Sequence, residues 1–227
     1  MSTQLHTAIS SILAMPYFKN DHAHSGSNVH GHEDAVAEKI RASGFAEEQK
    51  TSYPSMTKSV LRKWAESGNT VELEKILAQM PDGSYIVQPA GSQGFPDILV
   101  KDFGGRYVAV ECKSGKNGVC PMWNDNTPKP MAIYVLSSGA ENSTTIFMGQ
   151  DVITPEEQTL MDELETELAK VVKTYTGKLN AIDKFNRGWI QKARKQHFQS
   201  GGGAKTNYFT HASRQQCEDN ALNYAKQ

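Results

Sequence analysis

Two hydrophobic rhythms divide this 227-residue chain. Between residues 84 and 148 the apolar residues come in short runs, bounded by Gly, Pro, Asn and Ser, which is the pattern of β-strands. The runs predict strands near 84–88, 97–101, 106–113, 131–137 and 144–148. On either side the spacing turns helical. Helices are expected over 5–14, 33–43, 56–67 (Val60, Leu61, Trp64) and 70–80 (Leu73, Ile76, Leu77, Met80). Thr154-Pro155-Glu156-Glu157 supplies an N-cap, a proline at the first helical position and a glutamate at the third. A long helix therefore starts there, with Leu160, Leu164, Leu168, Val171 and Tyr175 along one stripe. That stripe fits an intramolecular core or a dimer seam. A second helix is expected over 178–198, a break at Ser200-Gly201-Gly202-Gly203, and a loop and final helix over 204–227. The pattern is that of an α/β (α+β) protein in two parts. Residues 1–153 hold every strand, and residues 154–227 are mainly helical.

The strands near 97–101 and 106–113 carry the chemistry. Ile98-Leu99-Val100 and Tyr107-Val108-Ala109-Val110 flank Phe103-Gly104-Gly105-Arg106, so they read as a hairpin. Side chains alternate faces along a strand. Val108, Val110 and Cys112 therefore share one face, and Tyr107, Ala109, Glu111 and Lys113 the other. Asp97 opens the first strand while Glu111 and Lys113 close the second, and an antiparallel hairpin puts those ends together. Two carboxylates beside an ammonium suit Mg²⁺, which takes one or two carboxylates from a protein and keeps several waters. A metal so held polarises a phosphoryl oxygen and acidifies a water, and the lysine orients that water or stabilises developing charge. Glu48-Gln49-Lys50 and Pro81-Asp82 repeat the residue types, but in turn-like sequence without strands.

Pro96-Asp97 followed by Glu111-Cys112-Lys113 resembles the PD-(D/E)xK nuclease signature. The segment from Pro121 through Trp123 and Pro128 to the apolar run Met131–Leu136 is similar to the stretch after the catalytic lysine in some type II restriction endonucleases. The resemblance spans residues 28–137. It implies a restriction-endonuclease-like mixed central sheet flanked by helices, with Mg²⁺-dependent cleavage of double-stranded DNA by a homodimer at a short symmetric site. It also implies metal ligation by Asp97, Glu111 and the backbone carbonyl of Cys112, with Lys113 acting on the attacking water. Residues 1–153 would then be the catalytic core, and residues 154–227 a helical subdomain for DNA contact or dimerisation.

Glu33 supports the same reading. The segment from Asn28 to Gly44 reads as a capped helix with Val36, Ala37 and Ile40 as its apolar stripe, and Glu33 falls on that face. A carboxylate on a buried stripe is costly unless paired or metal-bound. In the nucleases that the chain resembles, a glutamate on the first core helix often points at the metal site. A helix-start glutamate favoured by the macrodipole is the plainer alternative.

Composition sets the outer bounds. Cys112, Cys120 and Cys217 are odd in number and lack CxxC spacing, which argues against a disulfide framework or zinc ribbon. The start of the chain lacks a signal-peptide pattern, no stretch has the length of a membrane span, and no nucleotide-cofactor loop stands out. The expected location is the bacterial cytoplasm. The net charge of −1 attracts no polyanion by itself. Residues 151–167, however, carry seven acids and no Lys or Arg, while 178–214 carry eight Lys or Arg against Asp183 alone. Within the basic stretch Arg187, Lys192, Arg194, Lys195, Lys205 and Asn207 lie among aromatic residues, and such a mixture suits DNA. Two loops near the hairpin are further candidates for DNA contact: Ser92 and Gln93 before Asp97, and Lys116, Asn117, Trp123, Asn124, Asn126 and Lys129 after Lys113. His22, His24, His30 and His32 fit no common zinc spacing and are expected in a polar loop over 20–32. Asp102-Phe103-Gly104 mimics a kinase triplet but falls on the hairpin turn. A junction resolvase or repair nuclease of the same superfamily, and a DNA-binding protein without catalysis, remain as alternatives.

Overall fold

The computed structural model describes residues 3–17, 31–92, 94–115, 123, 127–190, 200–201 and 204–227, the residues of 200–201 and 204–205 by backbone alone. Six strands build one sheet: β1 (Ala46–Glu47), β2 (Ser84–Val87), β3 (Ile98–Lys101), β4 (Tyr107–Gly115), β5 (Ala132–Ser138) and β6 (Ser143–Met148), hydrogen-bonded in that order. β1 runs parallel to β2 and β4 parallel to β5, while the other three pairs are antiparallel, so the sheet is mixed.

Both faces of the sheet are covered. Helices α1 (Thr3–Leu13), α2 (Gly31–Ala42) and α6 (Arg214–Lys226) place Leu5, Ile9, Ile12, Val36, Ile40 and Ala221 against Val100, Val108, Val110, Ile133 and Val135. Helices α3 (Lys58–Ser67) and α4 (Val71–Ile76) place Leu61, Trp64 and Leu73 in a second cluster with Leu99, Ala109, Tyr134 and Phe147. A strand covered on both sides reads as a continuous apolar run, and Tyr107–Cys112 are all buried. The predicted alternation of faces holds, but the Tyr107/Ala109 face is as much a core face as the other.

The hairpin turn is built by Asp102. Its carboxylate accepts the backbone N–H groups of Gly104 and Arg106, and Gly105 takes a φ of +82° that side chains other than glycine resist. Arg106 pairs with Asp102 at 3.1 Å and donates to the Tyr224 carbonyl at 2.7 Å, which ties α6 to the turn. The kinase-like triplet is thus a turn aspartate and its neighbours.

Several expected elements differ. α2 begins at Gly31, so His32 belongs to its first turn and not to a polar loop. His32 is buried, its Nε2 lies 3.4 Å from the Val135 carbonyl, and burial pulls its pKa down. α4 stops at Ile76, short of the expected residue 80. α5 runs unbroken from Pro155 to Ala181, and residues 182–190 are not helical, which overturns the start of the expected 178–198 helix; residues 191–199 lie outside the described residues. Asp183 explains the stop: its carboxylate takes the N–H groups of Phe185, Arg187 and Gly188, capping a turn. Beyond it, β7 (Ser200–Gly201) and β8 (Ala204–Lys205) form a separate two-stranded ribbon. α6 packs on α1 and β6 and so belongs to the first core, although it follows residue 153. Among the described residues, no helix is long and apolar enough to cross a membrane.

Candidate active site

The register that pairs Val87 with Ile98, and Ile98 with Val110, continues by one position to Gln88, Asp97 and Glu111 on three adjacent strands. Glu111 also pairs with Tyr134 on β5. Residues directly opposite one another share a face, so Asp97 and Glu111 stand side by side at the end of the sheet. Asp97 is fixed from both sides. Its carbonyl accepts the Gln88 N–H at 2.6 Å, and its Oδ2 accepts the Cys112 N–H at 2.7 Å. The β3–β4 ladder ends at the Ile98–Val110 pair, so Cys112 lies beyond its last rung on the side where Asp97 sits.

Lys113 joins the pair as the parity of β4 requires. Its Nζ donates to Glu111 Oε1 at 2.6 Å. The other oxygen, Glu111 Oε2, is buried and finds no hydrogen-bond partner among the described residues. An unpartnered buried acceptor of a carboxylate carries the full cost of its desolvation. Glu33 reaches the same end of the sheet from α2, half-buried at the edge of the stripe, and accepts from Gln88 Nε2 at 3.0 Å. Gln88 holds a φ of +46°, a strained conformation for its type, while it serves both Asp97 and Glu33.

The electrostatics follow from this crowding. Burial, then the charges of Glu111 and Glu33, push the Asp97 carboxyl up to about 8, against the opposing Cys112 N–H and Lys113. Burial alone would pull Lys113 down, but Glu111 and Asp97 outweigh it and its pKa rises. Lys113 is held against Glu111, a position from which it can orient a water and stabilise charge. The Asp97 and Glu111 carboxylates and the Cys112 carbonyl are oxygen donors of the kind a hard divalent cation takes. Among the described residues no group of three or more His, Cys, Asp or Glu side chains is set to hold a metal ion, so a cation here would rest on two carboxylates, a backbone carbonyl and water, a set that suits Mg²⁺.

Sequence reasoning missed two cations. Lys58 and Arg62 are one turn apart on α3, and both feel the charge of Glu111. Burial pulls the pKa of each down; Glu111 opposes this at Lys58, and Glu66, Glu165 and then Glu111 oppose it at Arg62. Their four-residue spacing was visible, but no local pattern relates α3 to β4.

The expected DNA-contacting residues fare unevenly. Trp123 is buried and meets Tyr134 edge-on with ring centroids 5.2 Å apart, so it is a core residue. Lys129 is 2% exposed and its Nζ pairs with Glu66 at 2.6 Å, so it does not face solvent. Ser92 lies exposed in the turn before Asp97. Arg187 is exposed, lies over the rings of Phe185 and Trp189 and is 3.5 Å from Asp183. Asn207 accepts the Phe209 N–H at 2.8 Å, a turn-forming contact. Lys205 is placed by its backbone in β8. Gln93, Lys116, Asn117, Asn124, Asn126, Lys192, Arg194 and Lys195 lie outside the described residues, as do His22, His24, His30 and Cys120.

No known protein family, curated protein or solved structure matches this chain.

Proposed function

We propose that the chain is a Mg²⁺-dependent endodeoxyribonuclease of the PD-(D/E)xK type, acting on double-stranded DNA as a type II restriction endonuclease in a bacterial cytoplasm. The observation that carries the reading is the pairing of half-buried Asp97 with buried Glu111, whose Oε2 finds no hydrogen-bond partner among the described residues while its Oε1 accepts from Lys113. Asp97, Glu111 and the Cys112 carbonyl are the groups to hold the ion. Bound there, Mg²⁺ supplies polarisation of the phosphoryl oxygen and acidification of a water. Lys113 orients the attacking water and stabilises the charge that builds on the phosphoryl group. Glu33, linked through Gln88, acts from the second side as a water or metal partner. Lys58 and Arg62 bring positive charge to the edge where a phosphate backbone would approach.

The expected products carry 5′-phosphate and 3′-hydroxyl ends, as the resemblance implies. The test is digestion of intact plasmid with Mg²⁺, followed by mapping of the ends. Discrete fragments are expected from the wild type, and loss of cutting by at least about a thousandfold from Asp97→Ala and Lys113→Ala, with DNA binding retained. Full cutting by Asp97→Ala would reject the assignment. Preference for a four-way junction over intact duplex would shift it to a resolvase, and metal-independent binding without any cutting to a DNA-binding protein.

A further inference from the structure

Helix α5 is anchored on one side and bare on another. Gln158 near its start bonds Thr127, and Gln158, Met161, Glu165, Val172 and Thr176 form its half-buried side. Yet none of its 27 residues is fully buried. About a quarter-turn round from the anchored side runs a stripe of large apolar side chains: Leu160, Leu164, Leu168, Val171, Tyr175 and Leu179, each 43–65% exposed, with Ile182 one step past the helix. The stripe repeats every eleven residues: Leu160 maps onto Val171, Leu164 onto Tyr175, Leu168 onto Leu179 and Val171 onto Ile182. Such a repeat corresponds to 3.67 residues per turn, close to the α-helix itself, so the stripe stays on one side for the helix's length of roughly 40 Å. Seven large apolar groups in one line on a solvent-facing helix call for a covering surface.

The charges say what covers it. Residues 155–169 of the helix hold six acids and no base, while 170–181 hold Lys170, Lys173 and Lys178 and no acid. Two copies laid parallel would set acid on acid and base on base. Two copies laid antiparallel set the acidic half of each on the basic half of the other. Val171 is the midpoint of the stripe from Leu160 to Ile182, so a twofold axis there brings Leu160 to Ile182, Leu164 to Leu179 and Leu168 to Tyr175 between copies. On the flank of the seam, Glu163 and Glu167 then face Lys178 of the second copy. The surface is complementary to itself, as a twofold interface requires.

We infer that α5 is a homodimerisation helix that pairs antiparallel with α5 of a second copy of this chain, about an axis at Val171. The pairing does not rest on the nuclease reading: Asp97→Ala protein must dimerise like the wild type, so failure of one leaves the other standing.

Sedimentation of the full chain is expected to give a dimer of the 25.0 kDa subunit. The double variant Leu164→Glu/Leu168→Glu should keep its helical circular dichroism and weaken dimerisation by about a hundredfold or more. Orientation is read by oxidation in a background of Cys120→Ser and Cys217→Ser. Val171→Cys should cross-link across the axis. Leu160→Cys should not, since its two copies would stand roughly 33 Å apart. A further variant, Lys178→Glu, should weaken the dimer, and Glu163→Lys/Glu167→Lys added to it should restore it. A monomeric wild type at high micromolar concentration, or a dimer indifferent to the double glutamate variant, overturns the inference. Cross-linking of Leu160→Cys as readily as Val171→Cys overturns the antiparallel arrangement.

Discussion

Asp97 sits where a carboxyl group is costly to ionise. In the unfolded chain it ionises at the ordinary value of 3.8, and in the folded chain only near 8. The folded form therefore holds the proton more tightly between those values, and its stability falls as pH rises through that window. In the presence of a chelator, the melting temperature of the wild type should drop between pH 5 and pH 8 relative to Asp97→Asn, which carries no titrating group at this position. Asp97→Asn should be the more stable protein at pH 8 and should not cleave DNA. A wild type as stable as the variant at pH 8 would mean that the carboxylates do not crowd one another as described. The comparison separates a site built for charge from a merely structural ion pair, because removing one partner of a structural pair destabilises.

Among the elements, β4 and α3 show how local and distant forces share the work. β4 carries Glu111 and Lys113 on one face by the period of two, and its core residues hold that face in register. α3 is held by a Thr57 N-cap and by Gly68, which closes it at a φ of +72°. Its last turn bears Glu66, the partner of the buried Lys129 ammonium. Lys129 lies on the segment that leads into β5, so this pair docks α3 onto the sheet beside the site. Glu66→Ala would leave a cation in the interior without its counter-charge. The expected cost is about 2 kcal/mol, at the low end for a buried pair because Glu66 is partly exposed, and urea unfolding measures it. A change within about 0.5 kcal/mol would show that water reaches Lys129 freely.

For the molecule as a whole, the sheet carries the candidate site at one end, and α5 is anchored to the same core. A cation that binds the folded carboxylates and not the unfolded chain must stabilise by mass action. Adding Mg²⁺ at tenfold above its dissociation constant should contribute about 1.4 kcal/mol, seen as a rise in melting temperature. The rise should be lost in Asp97→Asn. An equal rise in both proteins would place the ion elsewhere.

The chain's linear pattern was enough for whatever depends on neighbours in sequence. Side-chain alternation put Glu111 and Lys113 on one face, the Gly-Gly turn brought Asp97 to their end, and the Thr154 capping box started α5 where it starts. The five expected strands came out within a residue or two for the same reason, since a period of two and a turn signal are local facts, whereas β1, β7 and β8, two residues each, were not expected. Tertiary structure alone decided the rest. Trp123 and Lys129 read as polar-loop residues, yet they are buried by Tyr134 and Glu66, partners distant in sequence or hidden by the turn between them. Lys58 and Arg62 came within range of the Glu111 charge only when α3 packed on the sheet, and Gln88 met Glu33 across 55 positions. The stripe on α5 was plain in the sequence, but whether it faced a core or solvent was not. Periodicity reports which residues share a side of an element, and only the packing of elements determines what that side meets.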